Sequence, residues 1–108
     1  MRRATTVFSN KTGTGASAQA SARRWAGQPV VAKINITYGG SPITIKLQGM
    51  SYAIEGGAWQ DLASATYNSG GQKTLKAPAC KRFRFYRLNI TDNTDGTVSA
   101  QIGMGEFA

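Results

Sequence analysis

The sequence of 108 residues predicts an all-β protein, an antiparallel β-sandwich of jelly-roll or Greek-key type with an extended N-terminal arm. Three observations predict this fold class. Apolar and polar residues alternate along most of the chain after residue 28, and Gly-, Asn- and Asp-rich turns separate the alternating runs. No segment in that region has the 3.6-residue period of a helix. A small β-barrel is the competing architecture.

The first 28 residues form the predicted arm, and residues 29–108 form the predicted sandwich domain. The arm is rich in Ala, Ser, Thr and Gly, and it buries too little apolar surface to fold alone. We therefore expect it to gain its order by wrapping a neighbouring subunit. Within the arm, residues 5–9 allow a short strand and residues 16–24 allow a weak helix.

The domain begins with two predicted strands joined by the turn GGSP. In VVAKINITY, residues 30–38, every second residue is apolar. The alternation resumes at Ile43 and continues to residue 54, and Gly49 within it indicates a bulge or bend. Strands that are apolar on one face only are typical of two sheets packed face to face.

Further strands follow behind the turns EGG and NSGG, and the turn TDNTDG contains the Asp-Gly pair typical of hairpins. These strands cover the segment near Trp59, residues 73–77, residues 81–90 and residues 98–104. Trp59 is interpreted as covering one end of the core. The alternative is that it stacks on a sugar ring, as in a carbohydrate-binding module.

The segment KRFRFYRLNI, residues 81–90, combines basic and aromatic residues and changes phase in its middle. Three large apolar residues share one face: Tyr86, Leu88 and Ile90. Two others alternate in the opposite phase: Phe83 and Phe85. Either a β-bulge near Phe85 turns all five inward, or Phe83 and Phe85 face outward as an apolar patch framed by arginines, as in a protein interface.

The sequence lacks the residues of common catalytic and metal sites. It contains no histidine, which excludes Ser-His-Asp and Cys-His catalysis and the usual zinc sites. Its one cysteine, Cys80, is interpreted as a small filler at a strand start, and Asp92 and Asp95 are interpreted as turn residues. We therefore predict that the protein is not an enzyme and needs no cofactor or metal.

The charge balance predicts an acidic partner. The chain has 13 Lys and Arg against 5 Asp and Glu, a net charge of +8 at pH 7, and its first acidic residue is Glu55. The basic and aromatic residues of the arm and of strand 81–90 are the predicted partner-binding residues: Arg2, Arg3, Phe8, Arg23, Arg24, Trp25, Arg82, Phe83, Arg84, Phe85 and Arg87. No apolar run approaches the ~20 residues that span a bilayer, so no membrane partner is expected.

Nucleic acid is an alternative partner that the sequence does not favour. Aromatic residues on a sheet beside basic ones can stack single-stranded bases. The chain, however, contains no aromatic motif of the ribonucleoprotein or cold-shock type.

The order of ITIKLQGMSYAIEGGAWQDL, a Gly-rich turn and FRFYRLNITDNTDGTVSAQIGMG resembles small β-sandwich head decoration (cement) proteins of tailed bacteriophages, over about residues 30–105. The resemblance implies a non-enzymatic virion structural protein, made in the host cytoplasm and placed on the capsid surface. It implies a homo-oligomer, dimer or trimer, that binds the major capsid protein or other virion proteins and stabilises contacts between neighbouring subunits. A head–tail or tail adaptor and a single-stranded nucleic-acid-binding β domain are the alternatives.

Overall fold

A computed structural model of the chain describes residues 4–21, 30–50, 59–77 and 85–104. These residues contain nine β-strands and no helix. The strands are β1 (Ala4–Thr12), β2 (Gly15–Ala16), β3 (Ala20–Ser21), β4 (Val30–Thr37), β5 (Ile43–Met50), β6 (Gln60–Tyr67), β7 (Gly71–Ala77), β8 (Phe85–Asp92) and β9 (Thr97–Met104).

The strands form two antiparallel sheets, which confirms the predicted all-β sandwich. The first sheet has the strand order β1-β9-β4-β7. The second has the order β2-β8-β5-β6, and β3 also pairs with β8. Short turns carry the chain from one sheet to the other between β1 and β2, β4 and β5, β6 and β7, and β8 and β9. The paired registers place all of these turns at one end of the sandwich.

The core lies between the two sheets and follows the predicted alternation. The largest fully buried side chains come from β4, β5, β8 and β9: Ile34, Ile43, Ile45, Leu47, Leu88, Ile90, Val98 and Ile102. Burial of each such side chain contributes about 1.5–3 kcal/mol relative to its exposed state. The polar residues between them face outward, and each sheet therefore has one apolar and one polar face.

The described part of the predicted arm belongs to the sandwich itself. β1 pairs with β9 from Ala4 to Thr12, which confirms the strand predicted over residues 5–9. Val7 and Phe8 are both buried in the core, although neighbouring residues of a regular strand point to opposite faces. A register shift between Thr6 and Phe8 resolves this conflict. A second shift follows it, where Asn10 adopts a left-handed conformation with φ of 53°.

The next part of the arm covers the edge of β8. Ala16 lies in β2 and Ala20 in β3, so the helix predicted over residues 16–24 is wrong for the described residues. Between these short strands, the Ser17 N–H donates to the carbonyl of Leu88 at 2.7 Å, and the Leu88 N–H donates to Ser17 Oγ at 2.9 Å. The chain's own sheets therefore order residues 4–21, where an intersubunit contact was expected. The remainder of the arm, 1–3 and 22–28, lies outside the described residues.

Two backbone irregularities considered from the sequence, one in β8 near Phe85 and one in β5 at Gly49, are not found at those positions. β8 keeps an unbroken register from Phe85 to Ile90, with Tyr86, Leu88 and Ile90 buried and Phe85 partly exposed. Of the two alternatives for this strand, the β-bulge near Phe85 is therefore excluded, and Phe85 faces outward as the other alternative predicts. Phe83 lies outside the described residues. The bulge or bend predicted at Gly49 is not observed, because β5 pairs with β8 in unbroken register from Ile45 to Met50. The register shift between Leu47 and Gln48 in the pairing with β6 comes from an additional residue in β6.

Asn93 and Asp95, two residues of the β8–β9 turn, form hydrogen bonds to other turns at the end of the sandwich where the chain crosses between the sheets. The Asn93 amide, 6% exposed, donates to the carbonyls of Gly13 at 3.1 Å and Gly96 at 3.2 Å, and its oxygen accepts from the Gly96 N–H at 2.9 Å. The Asp95 carboxylate accepts from the Ser41 N–H at 3.3 Å. These bonds connect three of the four crossings between the sheets.

We predict that Asn93→Ala lowers the free energy of unfolding by about 2–3 kcal/mol, because it leaves buried carbonyl and N–H groups without partners. Urea unfolding followed by circular dichroism measures the loss. Asn68→Ala, at an exposed turn position, is the matched control and should change stability by less than about 0.5 kcal/mol. Equal effects of the two substitutions would contradict the role given to Asn93.

Tyr67 offers a stabilising substitution. Its hydroxyl is buried and finds no hydrogen-bond partner within residues 4–21, 30–50, 59–77 and 85–104. Burial also raises the pKa of this phenol above its ordinary value of 10.0. Tyr67→Phe should raise the free energy of unfolding by about 1 kcal/mol at neutral pH, because an unsatisfied polar group leaves the interior. Tyr38→Phe, at a partly exposed tyrosine, is the control. Marked destabilisation by Tyr67→Phe would show that the hydroxyl has a partner.

Candidate functional site

The outer face of the second sheet carries a connected set of charged, amide and aromatic side chains. We call this set the Arg87 platform, and its members are Lys46, Gln48, Trp59, Asp61 and Arg87. The polar members of β5 and β8 alternate with core residues, so the same period that builds the core directs them outward. The platform is thus a direct product of strand geometry.

A row of three side chains crosses the sheet at the centre of the platform. Gln48 of β5 lies opposite Arg87 of β8 on one side and opposite Asp61 of β6 on the other. Arg87 Nε donates to Gln48 Oε1 at 2.8 Å, and Gln48 Nε2 donates to Asp61 Oδ1 at 2.7 Å. A cation at one end and an anion at the other fix the orientation of the Gln48 amide. Gln48 is therefore a rigid connector between two charges.

Asp61 receives a second donor from the same face. Lys46 Nζ donates to Asp61 Oδ2 at 3.1 Å, and both side chains of this ion pair are partly exposed. The hydrogen bonds from Gln48 and Lys46 hold the pKa of the Asp61 carboxyl below its usual value. The Asp61 carboxyl is consequently ionised at neutral pH.

A β-bulge in β6 brings Asp61 into this row. Leu47 pairs with Ala63, but Gln48 pairs with Asp61, so Leu62 is the additional residue. Without the bulge, Leu62 would lie opposite Gln48 on the polar face. With it, Leu62 packs against the core and Asp61 reaches the outer face. The bulge therefore directs the apolar side chain of Leu62 to the core and the charged side chain of Asp61 to the outer face.

Trp59 completes the platform, just before β6 begins. The guanidinium carbon of Arg87 lies 4.2 Å from the centroid of the Trp59 ring, a cation–π stack. Partial burial lowers the pKa of Arg87, but a guanidinium stays charged at neutral pH. Two contacts therefore hold Arg87: its Nε donates to Gln48, and the flat face of its guanidinium stacks on the Trp59 ring.

This arrangement is suited to binding rather than to bond-breaking chemistry. Its members include no nucleophile beside a base, and the Asp61 carboxylate is already engaged by two donors. Arg and Trp are the residues that most often dominate binding energy at protein interfaces. A guanidinium has five N–H donors, and the described contacts use only Nε for a hydrogen bond, so the Nη groups can pair with a partner carboxylate.

Two of the predicted partner-binding residues lie on this face. Arg87 is the centre of the platform, and Phe85 stands two residues before it, partly exposed on the same side of β8. Phe8 differs from the prediction, because it is 5% exposed and packs in the core. The other predicted partner-binding residues lie outside the described residues: Arg2, Arg3, Arg23, Arg24, Trp25, Arg82, Phe83 and Arg84.

Sequence reasoning missed Lys46, Gln48 and Asp61 as members of a site. The alternation of Lys46 and Gln48 with Ile45 and Leu47 predicts their outward direction, but not their partners. Asp61 could not be found this way, since strict alternation along β6 places it on the core side. The sequence indicates that Trp59 covers one end of the core, with stacking on a sugar ring as the alternative; in the structure its ring contacts the guanidinium of Arg87.

Among the residues whose structure is described, no group of three or more metal-ligating side chains comes together. No helix long and apolar enough to cross a membrane occurs in the same ranges.

The hydrogen-bond row predicts a change in the titration of Asp61. Gln48→Ala removes a donor to the carboxylate, so the pKa of Asp61 should rise toward its ordinary value of 3.8. Carbon-detected NMR titration of the Asp61 carboxyl measures the change. Lys46→Gln should act in the same direction, and Lys76→Gln on the first sheet should leave Asp61 unchanged. An Asp61 pKa that is identical in wild type and Gln48→Ala would contradict the row.

Comparison with known proteins places the fold among solved structures. No protein-family model matches the sequence, and no curated protein is similar to it in sequence. The structure is similar to that of the SPBc2 prophage-derived protein YomS, with a TM-score of 0.66 and 9% identity over 97% of this chain and 94% of that chain. It is also similar to PirA, with a TM-score of 0.56 and 18% identity over 95% of this chain and 92% of that chain. The chain therefore shares its fold with a protein of prophage origin.

Proposed function

We propose that the protein is a non-enzymatic phage structural protein that docks through the Arg87 platform onto an acidic surface of a virion protein. The observation that carries the proposal is the Arg87–Trp59 stack, which Gln48 holds on the outer face of the second sheet and in which both Arg87 and Trp59 are partly exposed. The shared fold with a prophage-derived protein supports the phage context. Within that context, the role proposed is capsid decoration: the protein binds the outer shell and stabilises contacts between neighbouring capsid subunits.

The platform is organised before any partner binds. Immobilising a long side chain at an interface costs about 0.5–1.5 kcal/mol. Arg87 is already fixed by one hydrogen bond and one ring contact, so docking would spend little of its binding energy on ordering it. Partly exposed Phe85 on the same strand adds apolar area beside the charge. This combination of apolar contact and arginine is typical of interface centres.

The positions of the strand ends add a second argument. At the end of the sandwich opposite the crossing turns, Ala4 pairs with Gly103, Val30 pairs with Ala77, and Met50 pairs with Phe85. Every arginine other than Arg87 belongs to a segment covalently joined to one of these strand ends. Basic charge steers a protein toward an acidic surface and makes the association sensitive to salt.

Capsid decoration requires many copies of the protein and no catalytic activity. A dimer or trimer on the capsid surface, assembled after synthesis in the host cytoplasm, would contact several shell subunits at once. When several copies of the platform bind at once, the overall affinity exceeds that of one platform, so each platform can bind weakly. The major capsid protein is the proposed partner, and a head–tail or tail adaptor site is the alternative position in the particle.

The position in the particle can be tested directly. In the phage or lysogen that carries the gene, electron microscopy compares wild-type particles with particles from a deletion strain. Loss of density over the whole shell is the result expected for a decoration protein. Density lost at one vertex would reject decoration in favour of an adaptor, and absence of the protein from particles would reject a virion role.

The docking surface can be tested with the same deletion particles. Purified protein is added back, and binding is measured by co-sedimentation. Arg87→Ala and Trp59→Ala should each weaken binding by about 30-fold or more, the loss typical of interface centres. Lys76→Ala, a cation of the first sheet, is the matched control and should change binding by less than about threefold. Unchanged binding by a folded Arg87→Ala variant would overturn the proposed surface.

A further inference from the structure

The described strands end in four sheet edges, and three of these edges have features that hinder pairing with another chain. β1 departs from regular pairing twice, β2 and β3 contain two residues each, and β7 carries Lys73 and Lys76. Irregular backbone, short strands and lysines are devices by which edge strands avoid such pairing. The fourth edge is β6, and its one charged residue is Asp61.

The part of β6 that follows its bulge is a regular and uncharged edge. Leu62 is the additional residue of the bulge, and residues 63–67 pair with β5 without interruption. Within the described residues, β6 pairs with β5 alone. Every second residue of segment 63–67 therefore directs its backbone N–H and C=O away from the sheet. These groups can pair with a further antiparallel strand.

The core is incompletely covered along this edge. Ala63, Ala65 and Tyr67 pack against the core, but all three side chains remain partly exposed. On β7, the edge strand of the facing sheet, the inward side chains of Leu75 and Ala77 are buried. A strand added beside β6 would cover the partly exposed side chains of β6 as well as its backbone groups.

A second copy of β6 fits this edge. Residues directly opposite each other in an antiparallel pair lie on the same face. Self-pairing of the whole segment 63–67 therefore places Ala65 opposite its own counterpart, and Ser64 opposite the counterpart of Thr66. The two Asp61 side chains are then eight residues apart along the strands, roughly 27 Å at 3.4 Å per residue. This distance exceeds the screening length at physiological salt, so the two carboxylates do not oppose the pairing.

We propose that β6 pairs with β6 of a second copy of this chain, centred on Ala65, and that the second sheets of the two copies become one continuous sheet. The two-fold axis of such a dimer is perpendicular to the sheet, so both outer faces lie on the same side. A pair of five-residue segments is smaller than a standard interface, so we expect association at micromolar concentrations or above. For docking, which rests on the proposed function, the dimer presents two Arg87 platforms to one surface.

The pairing is tested on the full chain without particles. Sedimentation equilibrium between about 10 µM and 1 mM should show monomer and dimer in exchange. The amide NMR shifts of residues 63–67 should change over the same concentrations. A monomer throughout this range would overturn the proposal, and a trimer would overturn its two-fold symmetry.

Two double variants test the register. Ser64→Lys with Thr66→Lys places like charges opposite each other in two pairs, and it should weaken the dimer at least about tenfold. Ser64→Lys with Thr66→Glu places opposite charges in the same pairs and should dimerise at least as tightly as the wild type. Both variants lose the hydroxyl contact of Thr66 with Thr44, and both place a cation opposite Lys46. Equal weakening by the two variants would therefore overturn the proposed pairing.

Further controls separate this proposal from the docking surface. Thr74→Lys, on the exposed edge of β7, should leave the dimer unchanged, and loss of the dimer in this variant would overturn the assignment to β6. Circular dichroism confirms that each variant is folded. Arg87→Ala should weaken binding to particles and leave the dimer intact. A wild-type dimer that does not bind particles would support the β6 pairing and contradict the proposed function.

Discussion

The buried amide of Asn93 holds together the end of the sandwich at which the chain crosses between its sheets. Each crossing leaves backbone groups that belong to neither sheet ladder, and such groups need partners when they are buried. Asn93 satisfies Gly96 within its own turn and reaches Gly13 in the first crossing. The N-terminal residues belong to both sheets through the pairing of β1 with β9 and of β2 and β3 with β8, and the bond to Gly13 anchors the turn at which they cross from one sheet to the other.

The two-residue period of the strands also gives each sheet a polar outer face. The alternation that directs Ile45, Leu47 and Leu88 inward also directs Gln48 and Arg87 outward on one sheet. The same rule directs Lys33 and Asn35 outward on the other sheet. The two faces differ in composition, since the described strands of the second sheet include the carboxylate of Asp61, whereas those of the first sheet contain lysines but no aspartate or glutamate.

The β-bulge at Leu62 matters for the docking face, because it supplies the carboxylate that neutralises one end of the network. Arg87 lies at the other end, where its Nε donates to Gln48.

The sequence by itself determined the all-β class and most of the core, because a two-residue period is a local property and β4, β5, β8 and β9 follow it closely. It also indicated the outward direction of Arg87. Only the tertiary structure decided that Phe8 is a core residue, that Ser17 completes the edge of β8, and that Asp61, Gln48 and Arg87 form a row. These features depend on pairing between distant strands and on bulges that reverse the facing of single residues, and no local pattern encodes either.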